Sequence, residues 1–172
     1  MNLKDLRFKD FFDYYSVIPL CMYISLLYTY VISGEKRALY LCMYLFTCDV
    51  IVMCIKKYPW KNKTLYKITR RPKGANRCDY LSKRTGYTDD SPGFPSGHMT
   101  SITVFSISMM IYLFKMRKFD LVYIRIPIIA FHIILIVLMG FARYVKLCHS
   151  PLQIAAGFIL GCILSIPVYL TD

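Results

Sequence analysis

Five apolar runs divide this chain, at 11–33, 38–55, 99–114, 121–142 and 154–170. Each approaches the ~20 residues that a helix needs to cross a bilayer core. The run at 99–114 is short by itself and is expected to gain a turn from its neighbours. No other feature limits the fold so sharply, because backbone in hydrocarbon must satisfy its own hydrogen bonds. The chain is predicted to be an all-α, polytopic transmembrane bundle of five to six helices, one domain over 1–172. Its composition agrees: 56% of residues are hydrophobic and the mean hydropathy is +0.44, too apolar for an ordinary soluble domain. Residues 1–10 carry Lys4, Arg7 and Lys9, like the start of a signal sequence. The run that follows is too long for a cleaved peptide, contains Asp13 and lacks an A-x-A-like exit, so a retained span is expected.

The connections concentrate the polar residues. Positions 34–37 make a tight turn, and 115–120 a charged turn at the opposite surface. The long polar segment is 56–95. Within it a short helix is predicted over 62–70, ending before Pro72 because the residue preceding proline avoids the helical region. The glycines, asparagine, aspartates and prolines beyond it read as loop. Counting crossings from the second run places Arg71, His98, Arg143 and His149 at one membrane surface, so the expected site is a membrane-surface one.

Charge narrows the partners. The formal net charge is +12, and half of the 22 basic residues fall between positions 56 and 84. Such a loop binds acidic headgroups at about 1 kcal/mol per residue near an anionic surface. No nucleic-acid recognition fold accompanies the charge, so nucleic acid is not an expected partner. The fifteen tyrosines suit the membrane interfaces. The seven cysteines show no C-x-x-C spacing, which argues against a zinc site. Cys21, Cys42, Cys48, Cys54 and Cys162 lie in apolar runs and read as small hydrophobes. Cys78 and Cys148 lie in the polar islands, where an oxidising compartment would allow them to pair.

The islands carry chemistry-bearing residues. In Pro95-Ser96-Gly97-His98, Ser96 and Gly97 sit where a helix begins, with free backbone N–H groups and the positive dipole end suited to an anion. His98 falls in the first turn, placed to give a proton to a leaving group. An N-cap beside an interfacial histidine would read the same way. In the island 143–153, Ser150 suits an N-cap and Pro151 the first helical position. His149 then stands at the helix mouth, and Gln153 can reach back to its imidazole. A histidine oriented on one ring nitrogen is suited to nucleophilic attack by the other. Gly157 and Gly161 have the small-xxx-small spacing of close helix packing.

Together these residues resemble the type 2 phosphatidic acid phosphatase superfamily, which also includes the vanadium haloperoxidases. Its pattern has three parts, K-x6-R-P, P-S-G-H and S-R-x5-H-x3-D. Arg71-Pro72 matches the first, Pro95 to His98 the second, and Arg143 with His149 the third, over about 63–157. The resemblance implies a membrane-bound phosphatase acting on a lipid phosphate or a polyprenyl or other lipid diphosphate, with no metal and no cofactor. His149 would be the nucleophile that forms a phosphohistidine, and His98 would protonate the leaving oxygen. Arg71, Ser96, Gly97, Arg143 and a lysine would bind the phosphoryl oxygens.

The chain departs from the pattern at three places. Thr64 occupies the first-motif lysine position, leaving Lys63, one residue early, or Lys67, one turn from Arg71, as candidates. Ala142 stands for the serine before Arg143, a loss of roughly 1 kcal/mol at most. Gln153 stands for the aspartate that orients the nucleophile. It can still accept the imidazole N–H but brings no charge, and the glucose-6-phosphatase and dolichyl diphosphatase branches are similar in having glutamine here. A lipid phosphotransferase and a catalytically weakened membrane scaffold are the alternative functions. His132 and Asp49, inside spans, read as packing or functional groups. Asn62-Lys63-Thr64 is a glycosylation sequon expected to stay unmodified. Five spans put the N-terminus on the site's side of the membrane, whereas the six-helix arrangement typical of the family does not. Oligomeric state and the compartment that the site faces are open.

Overall fold

A computed structural model describes residues 14–57, 69–73, 75, 78, 91–115 and 122–170. Among them five helices are long and apolar enough to cross a membrane. A 3-10 turn at Tyr14–Val17 leads into α1, Ile18–Ser33; α2 is Lys36–Lys57, α3 Gly97–Lys115, α4 Val122–Val145 and α5 Pro151–Leu170. The chain is thus a multi-pass integral membrane protein, and each apolar run of the sequence lies within or overlaps one span. The third run gains its extra turn by starting at Gly97 and ending at Lys115. Lys63, Lys67, most of the helix expected over 62–70, the sequon at 62–64 and most of the turn at 115–120 lie outside the described residues.

The turn between α1 and α2 is tighter than the four residues expected. Gly34 closes α1 at φ +67°, a left-handed conformation that costs glycine nothing, and its N–H donates to Tyr30 O. Glu35 Oε1 then accepts the Arg37 N–H at 3.2 Å and caps α2, whose first residue is Lys36.

Helix α3 is the hub and touches all four other spans, α5 most extensively. The reason is glycine. A Cβ on Gly157 would sit 2.6 Å from Ser96 O, and one on Gly161 would sit 2.6 Å from Thr103 Cβ. The two helices therefore approach backbone to side chain, as the spacing of Gly157 and Gly161 anticipates. Thr100 Oγ1 lies 3.1 Å from Gly157 O across this seam. Around it, Leu26, Ala38, Cys42, Leu45, Cys48 and Val104 form one buried cluster, and Met22, Met99, Ile102 and Met139 another. Large side chains such as Tyr28, Val31, Phe46, Val137 and Ile163 point outward and are exposed, as a surface facing lipid tails requires.

Two intramembrane polar groups find partners inside the bundle. Tyr23 donates to Asp49 Oδ2 at 2.6 Å, and Ser101 to Asp49 Oδ1 at 2.5 Å, which ties α1 and α3 to α2. His132 is buried on α4, with Nδ1 3.3 Å from Ser106 Oγ and its ring against Phe105 and Phe131. Asp49 and His132 thus join helices inside the bundle.

Candidate functional site

The end of the bundle that holds the first turn of α1, the end of α2, the start of α3, the end of α4 and the start of α5 collects the polar islands. Ser16, just before α1, accepts a hydrogen bond from Arg143 Nη2 at 2.5 Å. The N-terminal end of α1 therefore shares a surface with the mouth of α5, as five crossings require.

Helix α4 delivers His149 by the way it ends. Leu147 adopts φ +56°, the Leu147 N–H donates to Tyr144 O at 2.9 Å, and the Cys148 N–H donates to Arg143 O at 3.0 Å. This pair of bonds is a Schellman closure. A left-handed leucine costs about 1–2 kcal/mol, which the two satisfied carbonyls offset. The closure folds 148–149 back beneath Arg143, and the His149 N–H also donates to Arg143 O at 3.3 Å. That local turn converts an x5 spacing in sequence into adjacency in space.

Helix α5 opens with a reciprocal cap. The Gln153 N–H donates to Ser150 Oγ at 3.3 Å, and Gln153 Oε1 accepts the Ser150 N–H at 3.2 Å. This is a capping box with glutamine at its third position. The same amide does two further things. Its Oε1 lies 3.3 Å from His149 Nδ1, and its Nε2 donates to Arg70 O at 2.7 Å and toward Thr69 O at 3.4 Å. Oxygen facing donors and nitrogen facing carbonyls fixes the amide orientation. An aspartate would be too short to span these partners and would offer no N–H to Arg70 O.

A second, closer acceptor holds the imidazole. Gly93 O lies 2.9 Å from His149 Nδ1. With two oxygens on Nδ1, that nitrogen carries the proton and Nε2 is left with its lone pair. Gly93 is placed by short backbone pairing: Arg70 and Pro92 form an antiparallel bridge, the Arg71 N–H donates to Ser91 O, and the Gly93 N–H donates to Thr69 O at 2.8 Å. Glycine is required there, since a Cβ would sit 2.6 Å from Gln153 Oε1 and 3.0 Å from Arg71 Cγ. Nothing in the residue pattern pointed to Gly93, because its contribution is a backbone carbonyl.

The remaining groups surround the imidazole with positive charge. Arg143 is fully buried, donating from Nη1 to Cys78 O at 2.6 Å. Cys78 is in turn bonded to Cys148 by a disulfide, so the loop carrying Cys78 is tied to the end of α4. Arg71 and Ser96 are buried as well. The Ser96 N–H donates to Gln153 O at 3.1 Å, seating the start of α3 on α5. Ser96 Oγ is buried with no hydrogen-bond partner among the described residues. His98 is half-buried in the first turn of α3. Lys56, in the last turn of α2, reaches the same place: a Cβ on Gly97 would meet its Nζ at 3.4 Å. Its position at the site's surface was the one available signal for it in sequence.

His149 itself is 2% exposed. Burial holds its imidazole well below the ordinary value, and the charges of Arg71, Lys56, His98 and Arg143 push it further down. The ring is therefore neutral at physiological pH. Of the residues singled out in sequence, the structure brings His149, Gln153, Arg71, Arg143, Ser96, Gly97 and His98 together at one end of the bundle; Lys63 and Lys67 are not described. Among the described residues, no group of three or more His, Cys, Asp or Glu side chains gathers in a metal-binding arrangement. A buried neutral imidazole among basic groups and a helix N-terminus is an arrangement suited to an anionic electrophile.

A family model described as the PAP2 superfamily matches residues 37–172. Among solved structures, the chain resembles one titled the first transmembrane PAP2 type phosphatidylglycerolphosphate phosphatase from Bacillus subtilis. The TM-score is 0.68 and the identity 18%, over 94% of this chain and 74% of that one. This likeness establishes the fold. No curated protein sequence matches the chain.

Proposed function

The chain belongs to the PAP2 superfamily, and from that premise we propose that it is a lipid phosphatase working through a phosphohistidine on His149. One observation carries the reading: a fully enclosed, neutral imidazole has its Nδ1 proton committed to Gly93 O and Gln153 Oε1, so Nε2 is the free nucleophile among basic groups.

In the first half-reaction His149 Nε2 attacks phosphorus and the bond from phosphorus to the ester or anhydride oxygen breaks. The departing oxygen takes a proton from His98, which starts as the imidazolium. The new phosphoimidazole keeps its Nδ1–H on Gly93 O, and two carbonyl dipoles stabilise the positive charge that an aspartate would otherwise meet. In the second half-reaction His98, now neutral, removes a proton from water as the water oxygen attacks phosphorus. The P–N bond breaks, inorganic phosphate leaves, and both histidines return to their starting states. Arg71, Arg143, Ser96 and the Gly97 amide hold the equatorial oxygens through both steps. Each such preorganised donor is worth about 3 kcal/mol in the transition state.

The position of the site supports a lipid substrate. The basic residues gather at one end of an apolar bundle, so a phosphate or diphosphate on a lipid would present its headgroup there while its tail stays in the bilayer. The assay is phosphate release by detergent-solubilised protein from phosphatidate, phosphatidylglycerophosphate and a polyprenyl diphosphate. The expected result is release from at least one, unaffected by chelator and abolished by His149→Ala. Consumption of lipid with no free phosphate would replace hydrolysis by transfer to an alcohol. No reaction with any of the three would leave a membrane scaffold.

A further inference from the structure

The family pattern places a lysine with six residues between it and Arg71, and in this chain that position is Thr64. Lys63 and Lys67 lie outside the described residues, and among those described the end of α2 supplies an ammonium.

A lysine in the last turn of a membrane span ordinarily runs its stem along the helix and lifts its head among the lipid headgroups. Lys57 is exposed and has that position. Lys56, about 100° around the helix from it, lies on the face shared with Asp49 and Val52 that meets α3. Lys56 is partly buried. Its Nζ lies 3.4 Å from the point that a Cβ on Gly97 would occupy, and Val52 Cγ1, one turn below, lies 3.6 Å from the same point. The ammonium thus rests against the first residue of α3, where the helix presents its free amides; the preceding residue, Ser96, has a buried hydroxyl with no partner among the described residues.

We propose that Lys56 is the phosphate-binding lysine of this site, its ammonium completing the cradle formed by the N-terminal amides of α3, Ser96, Arg71 and Arg143. This rests on the phosphatase reading above and deepens it. Two further observations agree. After Arg71, Lys56 is the charge acting most strongly on the buried His149, ahead of Arg143. A Cβ on Gly97 would already touch the ammonium at 3.4 Å, so a longer side chain there would crowd it. On this proposal the phosphate-binding ammonium comes from the last turn of α2, at the same surface as Arg71.

The test uses orthovanadate, which takes the five-coordinate geometry of phosphoryl transfer, as both inhibitor and ligand of the full-length protein in detergent. Lys56→Gln is expected to weaken orthovanadate inhibition at least tenfold and to lower kcat/KM about 10²-fold, the usual cost of one electrostatic donor. Lys56→Arg should recover at least tenfold of that loss, and Lys57→Gln should stay within twofold of the wild type. Wild-type behaviour of Lys56→Gln, or the same loss on Lys63→Gln or Lys67→Gln in its place, overturns the assignment. A second measurement needs no variant. Trinitrobenzenesulfonate labelling of the Lys56 peptide should be suppressed by saturating orthovanadate, and labelling that ignores orthovanadate also overturns it. Failure of Lys56 alone, with orthovanadate still bound tightly, leaves the phosphatase reading standing. Wild-type protein that neither binds orthovanadate nor releases phosphate ends both.

Discussion

Replacing Gln153 with methionine separates two jobs that one side chain performs. Methionine keeps the length and most of the volume but makes none of the four hydrogen bonds. The Nε2 bond to Arg70 O at 2.7 Å is the strongest of them, and its loss leaves a carbonyl beside a side chain that is 1% exposed. That costs about 1–3 kcal/mol, and losing the reciprocal cap on Ser150 adds roughly 1 kcal/mol. The bond to His149 is the weakest, 3.3 Å against 2.9 Å for Gly93 O. The backbone carbonyl survives the substitution, so the imidazole keeps its tautomer. The expected outcome is a melting temperature in detergent lower by about 5–10 °C, taking 2–4 °C per kcal/mol for a chain of this size. Below that temperature kcat should fall only about tenfold. In a serine protease, removing the carboxylate that orients the catalytic histidine costs about 10⁴. A loss of that size in Gln153→Met, with melting unchanged, would refute the reasoning and make Oε1 the true orienting acceptor.

Three other perturbations probe the same site. Gly93→Ala forces a methyl to within 2.6 Å of Gln153 Oε1 and 3.0 Å of Arg71 Cγ; displacing both should lower kcat/KM at least 10²-fold, measured by phosphate release. Because the folded His149 pKa lies below the ordinary ~6.5, its limb of the kcat/KM profile should fall on the acid side of 6.5. For the same reason the folded state should lose stability as pH drops below 6.5, since the unfolded chain takes up the proton first. An acid limb above 7 that disappears in no other histidine variant would contradict this. Cys78 anchors Arg143 through its carbonyl and is tied to Cys148, next to His149. Cys78→Ser with Cys148→Ser, or prior reduction of the wild type, should therefore lower kcat/KM at least tenfold, with inhibition by orthovanadate weakened in parallel.

Spans and their surfaces were legible because bilayer thickness sets helix length and chain crossings set sidedness. Counting crossings places Arg71, His98, Arg143 and His149 at one surface, and Ser16 against Arg143 fits the five-span end of the five to six expected. Gly157 and Gly161 were equally readable, since their spacing is a packing rule in itself. The contributions of Gly93 and Leu147 were hidden for a common reason. Gly93 acts through a carbonyl and Leu147 through a backbone turn, and neither leaves a side-chain signature. Lys56 was overlooked because a basic residue at a span's end has an ordinary role, and only the direction of its stem distinguishes it from Lys57. Gln153 reads in sequence as a branch-specific replacement for aspartate, and its amide nitrogen also holds the backbone at Thr69 and Arg70, next to Arg71.

The central claim is that phosphorus is bonded to His149 Nε2 during turnover. Rapid quenching of the protein with a lipid substrate labelled in its phosphoryl group, followed by peptide mapping, tests it directly. An acid-labile, alkali-stable label is expected on the peptide containing His149, absent from His149→Ala and chased off by water in the wild type. Full turnover with no labelled protein at any quench time, or a label that survives acid on a different peptide, would contradict it.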